Sequence, residues 1–241
     1  MDPFQNIALE HAITQYQQEF TKIPTIRLWY NSKCVMLGRM QNIRLEVNLS
    51  YCQEQDIDVV RRISGGGTVY QDPGNLNISF YGPLKLFSPK NDVLTASEGL
   101  TRFNLLVLEN LGYEKLGIDN GSNILHDGKK ISGSANYLTK NWFLHHLTLL
   151  HNTDLNHMTN CLLAREFEPV ESSNSRYYPT TNLLDFDYVE FKNMLKTSFS
   201  REYSYPIIET ELENSEITLA RNLEHELYRQ KRWIFDGKRK K

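Results

Sequence analysis

The chain has 241 residues, of which 40% are hydrophobic and 23% are charged, and its formal net charge is −2. This is ordinary soluble composition, and the near-balanced charge gives no reason to expect nucleic acid or an anionic membrane surface as a partner. No apolar run approaches the roughly 18 residues that a membrane span needs, and the N-terminus shows no secretory signal pattern.

The number and spacing of the cysteines indicate the redox state of the cellular compartment. Cys34, Cys52 and Cys161 are scattered and form no CxxC pair. We therefore expect reduced, buried thiols of a cytoplasmic protein, and neither a disulfide framework nor a zinc site.

Hydrophobic periodicity and turn residues predict the elements in chain order. Helices are expected over residues 5–20, 46–55, 91–111, 158–165, 188–200 and 215–232. Strands are expected over 25–30 and 34–37, on both sides of a glycine-rich loop as far as 76–81, and within 122–150 around a hairpin turn at 126–128. A polar loop is expected over 171–181. Because the strands follow one another through short turns, we predict an α+β fold with a mixed β-sheet flanked by helices, in a single domain covering 1–241.

The most informative segment runs from Arg61 to Asn77 and reads RRISGGGTVYQDPGNLN. Three successive glycines can expose backbone N–H groups to an anion. The two arginines before them carry guanidinium groups that suit phosphate or carboxylate. A bare triple glycine is more often a flexible turn, but with the arginines and the second turn at 72–75 it indicates an anion-binding site.

A second polar segment is the predicted strand that begins near Lys130. Alternation would place Lys130, Ser132, Ser134 and Asn136 on one face and Ile131, Gly133, Ala135 and Tyr137 on the other. A small polar face that ends in a cation suits the floor of a pocket, and an ordinary half-exposed strand is the alternative. Farther along, His145 and His146 would point to opposite faces of a strand and could not bind one metal ion together. A polar role for one of them beside the pocket is therefore favoured over a metal site.

Taken in order, these motifs resemble those of the lipoate–protein ligase A family, within the biotin/lipoate ligase superfamily. The shared features are GRxQN, RRxSGGGxVY, DxGN, GxKISGSA and HHxTLL followed by DL, and they extend over residues 6–155. The resemblance implies an α+β ligase domain that joins lipoate to ATP, with Mg²⁺, as lipoyl-AMP. It also implies transfer of the lipoyl group to a lysine of a lipoyl-domain or H-protein-type acceptor.

The same resemblance implies roles for individual residues. Lys130 would be the catalytic lysine that meets the lipoate carboxylate and the α-phosphate, where a fixed cation stabilises the charge that develops. The lipoyl- and adenylate-binding residues that it implies are Arg62, Ser64, Gly65, Gly66, Gly67, Asn75, Asn123, Ser132, Gly133, Ser134, Ala135, His146 and Thr148. No dedicated metal cage is visible in the sequence.

The sequence departs from the family pattern in places, and other functions stay open. Gln71 stands where the family commonly has histidine, and Leu147 where glycine is usual. We expect the accessory C-terminal domain of longer members to be absent and a separate small protein to supply its function. One alternative is a lipoyl- or octanoyltransferase of the same fold, although no cysteine lies just before Gly128 to serve as the thiol nucleophile of octanoyl transfer. The other is a non-catalytic lipoyl-binding subunit.

Overall fold

The computed structural model describes residues 2–163 and 175–238. The helices are α1 Pro3–Tyr16, α2 Ile43–Glu46, α3 Leu49–Glu54, α4 Leu84–Phe87, α5 Val93–Asn110, α6 Leu155–Cys161, α7 Tyr188–Tyr203, α8 Asn214–Leu223 and α9 Lys231–Asp236. The strands are β1 Thr25–Trp29, β2 Cys34–Leu37, β3 Asp58–Arg61, β4 Val69–Gln71, β5 Asn75–Pro83, β6 Leu116–Asp119, β7 Asn123–His126, β8 Lys129–Thr139 and β9 Trp142–Leu150. Single π-helical turns extend α1 through Gln17–Thr21 and α8 through Glu224–Tyr228.

The strands form two sheets of different size. The larger sheet has six strands in the order β1-β5-β9-β8-β7-β6, and all of its neighbours are antiparallel. The smaller sheet has the order β3-β2-β4, in which β2 pairs parallel with β3 and antiparallel with β4. The predicted α+β fold with mixed strand directions and flanking helices is confirmed, and the strands are divided between two sheets.

The two larger hydrophobic cores of the described residues flank the larger sheet. On one side α5 and α7 pack against it, with Phe103 and Phe199 meeting Phe80 of β5. The other core joins α1 and the small sheet to the C-terminal helix α9, whose Trp233 is fully buried. In the described part of the chain, no helix combines the length and the apolarity that a bilayer crossing requires.

Several predicted elements differ from those observed. The helix expected over 46–55 is only α3, Leu49–Glu54, because Val47 is extended and pairs with Leu162, and Asn48 then caps α3 by accepting from the Tyr51 N–H at 3.2 Å. The short helix α2 before it overlaps the expected range only at Glu46. The helix expected over 215–232 ends in a π-helical turn, and α9 begins after Gln230. The short elements α4 and β6 were not predicted. Helix α6 starts three residues earlier than expected. The last two residues of the helix expected over 158–165 and the first four residues of the loop expected over 171–181 lie outside the described residues.

Candidate functional site

A cavity of about 390 Å³ lies between the larger sheet and the glycine-rich loop. Its floor includes a row of paired positions, one from each of four adjacent strands: Asn77, Thr148, Gly133 and Asn123. Adjacent strands are about 4.8 Å apart, so this row extends over about 14 Å. The sheet therefore provides a rigid polar floor on which a long ligand can lie.

Lys130 reaches this floor because strand β8 contains a bulge. The register with β7 shifts between Ile124 and Leu125, so that Ile131 is an extra residue in β8. The bulge places Lys130 on the same side as Gly133, where a Cβ on the glycine would lie 2.8 Å from the lysine Nζ. A side chain at this position would displace the ammonium group from its place over the sheet.

Because of the bulge, the β8 side chains that follow it lie on the opposite faces from those predicted. Asn136, expected on the pocket side, donates from Nδ2 to Ser97 Oγ of α5 at 2.9 Å. Ser134 pairs with Leu147, whose side chain is in the core formed with α5. Ala135, expected on the far side together with Gly133, instead pairs with His146 and borders the cavity. Simple alternation fails here because one extra residue exchanges the faces of all that follow it.

The ammonium group of Lys130 has no carboxylate partner among the described residues. Its Nζ lies 4.9 Å from the ring centroid of Tyr178, in cation–π contact. Its backbone N–H donates to Pro179 O at 2.8 Å and its carbonyl accepts from the Thr181 N–H at 3.0 Å, which holds residues 178–181 beside it. Burial lowers the pKa of Lys130 to about 8, an effect that the charge of Asp119 opposes. A partly desolvated cation of this kind attracts an anionic ligand.

Arg62 fixes the conformation of the glycine-rich loop. Its guanidinium donates to Ser64 Oγ at 2.9 Å and to the carbonyls of Gly65 at 2.6 Å and Gly67 at 2.7 Å. Burial lowers the pKa of Arg62 to about 10, so the group stays charged at neutral pH. Gly66 has a φ of +81°, which favours glycine. Neither the Gly66 nor the Gly67 N–H has an acceptor among the described residues, and these two donors can bind an anion.

The first arginine of the pair has a different position from the one predicted. Arg61 is 1% exposed, and its donors go to backbone carbonyls, including Gly38 O at 3.0 Å, Gln41 O at 2.8 Å and Ile234 O at 2.7 Å. It therefore joins the loop after β2 to helix α9 and is not available to a ligand. The guanidinium chemistry of the pair does not distinguish the two arginines, whereas the family resemblance assigned a binding role to Arg62 alone.

A buried hydrogen-bonded chain positions His146. Its Nε2 lies 2.7 Å from Ser64 Oγ, and its Nδ1 lies 3.0 Å from Glu10 Oε1. Burial by itself would raise the pKa of Glu10, but the charge and hydrogen bond of His146, with a hydrogen bond from Ser79, hold that pKa below its usual value. His145 points to the opposite face, as predicted, and contacts the α5 side. Glu10 lies 136 residues away along the chain, and its part in the site was not identified from the sequence.

Most of the predicted site residues border one cavity. Those that do are Arg62, Gly66, Gly67, Asn123, Lys130, Gly133, Ser134, Ala135, His146 and Thr148. Those that do not are Ser64, Gly65, Asn75 and Ser132; of these, Ser64, Asn75 and Ser132 are buried, at 1%, 0% and 1% exposure, and Gly65 is exposed. Bordering residues that the sequence analysis missed include Met36, Val69, Gln71, Asn77, Asn120, Arg176 and Tyr178. Arg176 and Tyr178 follow no periodic pattern, and only the three-dimensional structure brings them to the cavity.

The cavity contains no thiol and no metal cluster among the described residues. Cys34, Cys52 and Cys161 are all buried, at 0–2% exposure, and none of them borders it. Burial raises the pKa of the Cys34 thiol far above its ordinary value. No group of three or more His, Cys, Asp or Glu side chains in the described ranges is arranged to hold a metal ion.

Comparison with known families and sequences gives a consistent result. The family model described as "Lipoyl protein ligase A/B catalytic domain" matches residues 2–200. A curated human relative, the mitochondrial lipoyl amidotransferase LIPT1, is 31% identical over 208 residues, which is 84% of this chain and 53% of that protein. The chain spans about half the length of the curated relatives it matches.

Two solved structures share the fold over nearly the whole chain. One is a bi-partite lipoate protein ligase from Thermoplasma acidophilum, studied with its E2 lipoyl domain; it is 25% identical with a TM-score of 0.83, and the match covers 99% of this chain and 93% of that one. The other is a lipoate-protein ligase A bound with ATP, which is 24% identical with a TM-score of 0.83 over 98% and 95% of the two chains.

Proposed function

The chain belongs to the lipoyl protein ligase A/B catalytic-domain family, and on that premise we propose that it is a lipoate–protein ligase. It activates lipoate with ATP to lipoyl-AMP and transfers the lipoyl group to a lysine of a lipoyl-domain or H-protein-type acceptor. The ATP-bound ligase of the same fold supports the nucleotide as substrate, and the lipoyl domain studied with the archaeal ligase supports the class of acceptor.

The observation that carries the proposal is that one cavity is bordered by Lys130, Gly66 and Gly67. Among the described residues, the Lys130 ammonium has no carboxylate partner and the two glycine N–H groups have no acceptor. In the first step a lipoate oxygen attacks the α-phosphorus, the bond to the bridging oxygen breaks, and pyrophosphate leaves with that electron pair. Negative charge accumulates on the α-phosphate oxygens, where Lys130 and the N–H groups of Gly66 and Gly67 stabilise it. Positioning of this kind is the main contribution a protein makes to such a displacement.

In the second step the neutral amine of the acceptor lysine attacks the acyl carbon. The bond between that carbon and the phosphate oxygen breaks, AMP leaves with the electron pair, and the amine loses a proton as the amide forms. Mg²⁺, which lowers the charge of the phosphates, would be held mainly by phosphate oxygens and water, because the described residues contain no acidic cluster for it.

A lipoyltransferase that uses preformed lipoyl-AMP is the second candidate, and the human amidotransferase relative favours it. The near-complete match to a chain of a bi-partite ligase supports a further part of the proposal, that a separate small protein acts with this chain during activation. A thiol acyl-enzyme has no support from the cavity, because none of the three cysteines borders it.

The test compares two substrates with one matched control. The purified chain is given a lipoyl domain with either premade lipoyl-AMP or ATP plus lipoate, and amide formation and pyrophosphate release are measured. We expect rapid transfer from lipoyl-AMP, and slow pyrophosphate release that Lys130→Met abolishes. If the wild-type chain releases pyrophosphate no faster than Lys130→Met, the protein is a transferase. If it does not transfer the lipoyl group from lipoyl-AMP, both enzymatic functions are refuted. Fast release by the chain alone would refute the need for a partner.

A further inference from the structure

A relay of five polar side chains ends at the cavity. Arg27 donates to Asn6 Oδ1, and Asn6 Nδ2 donates to Asn31 Oδ1 at 2.9 Å. Asn31 Nδ2 then donates to Gln71 Oε1 at 2.6 Å, and Gln71 Nε2 donates to Asn77 Oδ1 at 2.7 Å. The relay thus crosses from β1 and α1 to β4 and finally to the sheet floor.

The direction of this relay is set by its first member. A guanidinium group can only donate hydrogen bonds, so Asn6 must present its oxygen to Arg27 and its NH₂ group to the next residue. Each following amide is constrained in the same way, because its oxygen is already accepting. The last amide, Asn77, therefore has its oxygen occupied by Gln71 and directs its NH₂ group elsewhere.

The NH₂ group of Asn77 is an unsatisfied donor at the cavity. Asn77 is 3% exposed, borders the cavity, and its Nδ2 has no hydrogen-bond partner among the described residues. A buried donor without a partner is unfavourable, and the relay prevents the amide from turning to relieve it. A ligand that brings an acceptor to this position would recover the lost hydrogen bond.

The position of Asn77 corresponds to the far end of an acyl group. Asn77 is two strands away from Gly133, over which the Lys130 Nζ lies, and that separation is about 10 Å. An extended eight-carbon acyl chain is about 9 Å long. With its carboxyl group at Lys130, such a chain ends beside Asn77.

We propose that Asn77 determines acyl specificity, by selecting a chain whose far end carries a hydrogen-bond acceptor. The ring sulfurs of the lipoyl group are weak acceptors, whereas the terminal methyl of octanoyl accepts nothing and leaves the Asn77 amide unpaired. The inference rests on the proposed function and names its substrate more closely: lipoyl is taken in preference to unsubstituted octanoyl. Gln71 is a positioning residue, since it acts through the orientation of Asn77.

The test measures dissociation constants by calorimetry for three acids: lipoate, octanoate and 7-cyanoheptanoate, whose nitrile is a good acceptor at the end of a straight chain. Wild-type protein is compared with Asn77→Leu, which keeps the approximate shape of the side chain and removes the donor. We expect the preference for the nitrile over octanoate to fall about fivefold to tenfold in the variant, as for one hydrogen bond. The preference for lipoate over octanoate should fall about threefold, because the sulfurs are weaker acceptors. Gln71→Met, which frees Asn77 to turn, should reduce the same ratios by a smaller factor.

The outcomes separate this inference from the function on which it rests. Ratios that stay within twofold of the wild-type values in folded Asn77→Leu would overturn the role of Asn77 and leave the ligase proposal intact. Wild-type protein that binds none of the acids and does not transfer from lipoyl-AMP would refute the proposed function, and the inference with it.

Discussion

Replacing Lys130 with methionine is expected to remove activity and at the same time to stabilise the fold. Methionine keeps an unbranched apolar side chain over Gly133 and removes the charge. Losing a fixed donor to the developing charge costs about 3–4 kcal/mol in the transition state. Formation of lipoyl-AMP should therefore slow by a factor of several hundred.

The stability gain follows from the pKa of Lys130, which burial lowers from its usual 10.5 to about 8. Each pKa unit corresponds to about 1.4 kcal/mol, and allowance for solvent screening of this partly exposed group leaves about 2 kcal/mol in favour of the variant at pH 7. The unfolded lysine keeps its proton to higher pH than the folded one, so wild-type stability rises between pH 8 and 10.5. The free energy of unfolding of Lys130→Met therefore exceeds that of the wild type by the largest amount below about pH 8, and the difference declines above that pH.

Two measurements on the same protein samples check this prediction. Urea unfolding at pH 7 and pH 9.5 gives the stability difference, and pyrophosphate release gives the rate of activation. Lys129→Met is the matched control, because this neighbouring side chain is exposed and should change neither quantity appreciably. A Lys130→Met protein that is less stable than wild type at pH 7, or that retains a tenth of the activity, would refute the argument.

Three further outcomes are expected. Arg61→Lys should lower the free energy of unfolding by about 3 kcal/mol in urea, because an ammonium group cannot reach the carbonyls that the buried guanidinium joins; a loss below 1 kcal/mol would contradict this. At pH 8, lipoate binding should take up a fraction of a proton, because the bound anion raises the pKa of Lys130; calorimetry in two buffers of different ionisation enthalpy measures it, and uptake should be absent in Lys130→Met. Changing Cys34, Cys52 and Cys161 to alanine should leave transfer from lipoyl-AMP within about twofold, and a thioester-linked acyl group on any of them in the wild type would refute the adenylate route.

Elements that depend on local patterning were predictable from the sequence. The apolar periodicity of α5 and α7 and the short β-type segments of β1 and β2 gave positions close to those observed. Elements that depend on distant partners were not. The helix expected over 46–55 begins only at Leu49 because Val47 pairs with Leu162, more than a hundred residues away. No local pattern encodes that pairing.

The chemistry of the site divides in the same way. The sequence by itself determined which groups are available, since the glycine loop, Lys130 and His146 were all recognised from motifs. The tertiary structure decided how they are used: a one-residue bulge turned Gly133 towards Lys130, and a relay of residues from four separate segments oriented Asn77. The physical reason is that hydrogen-bond direction and strand register depend on neighbours in space, and residue spacing along the chain specifies neither.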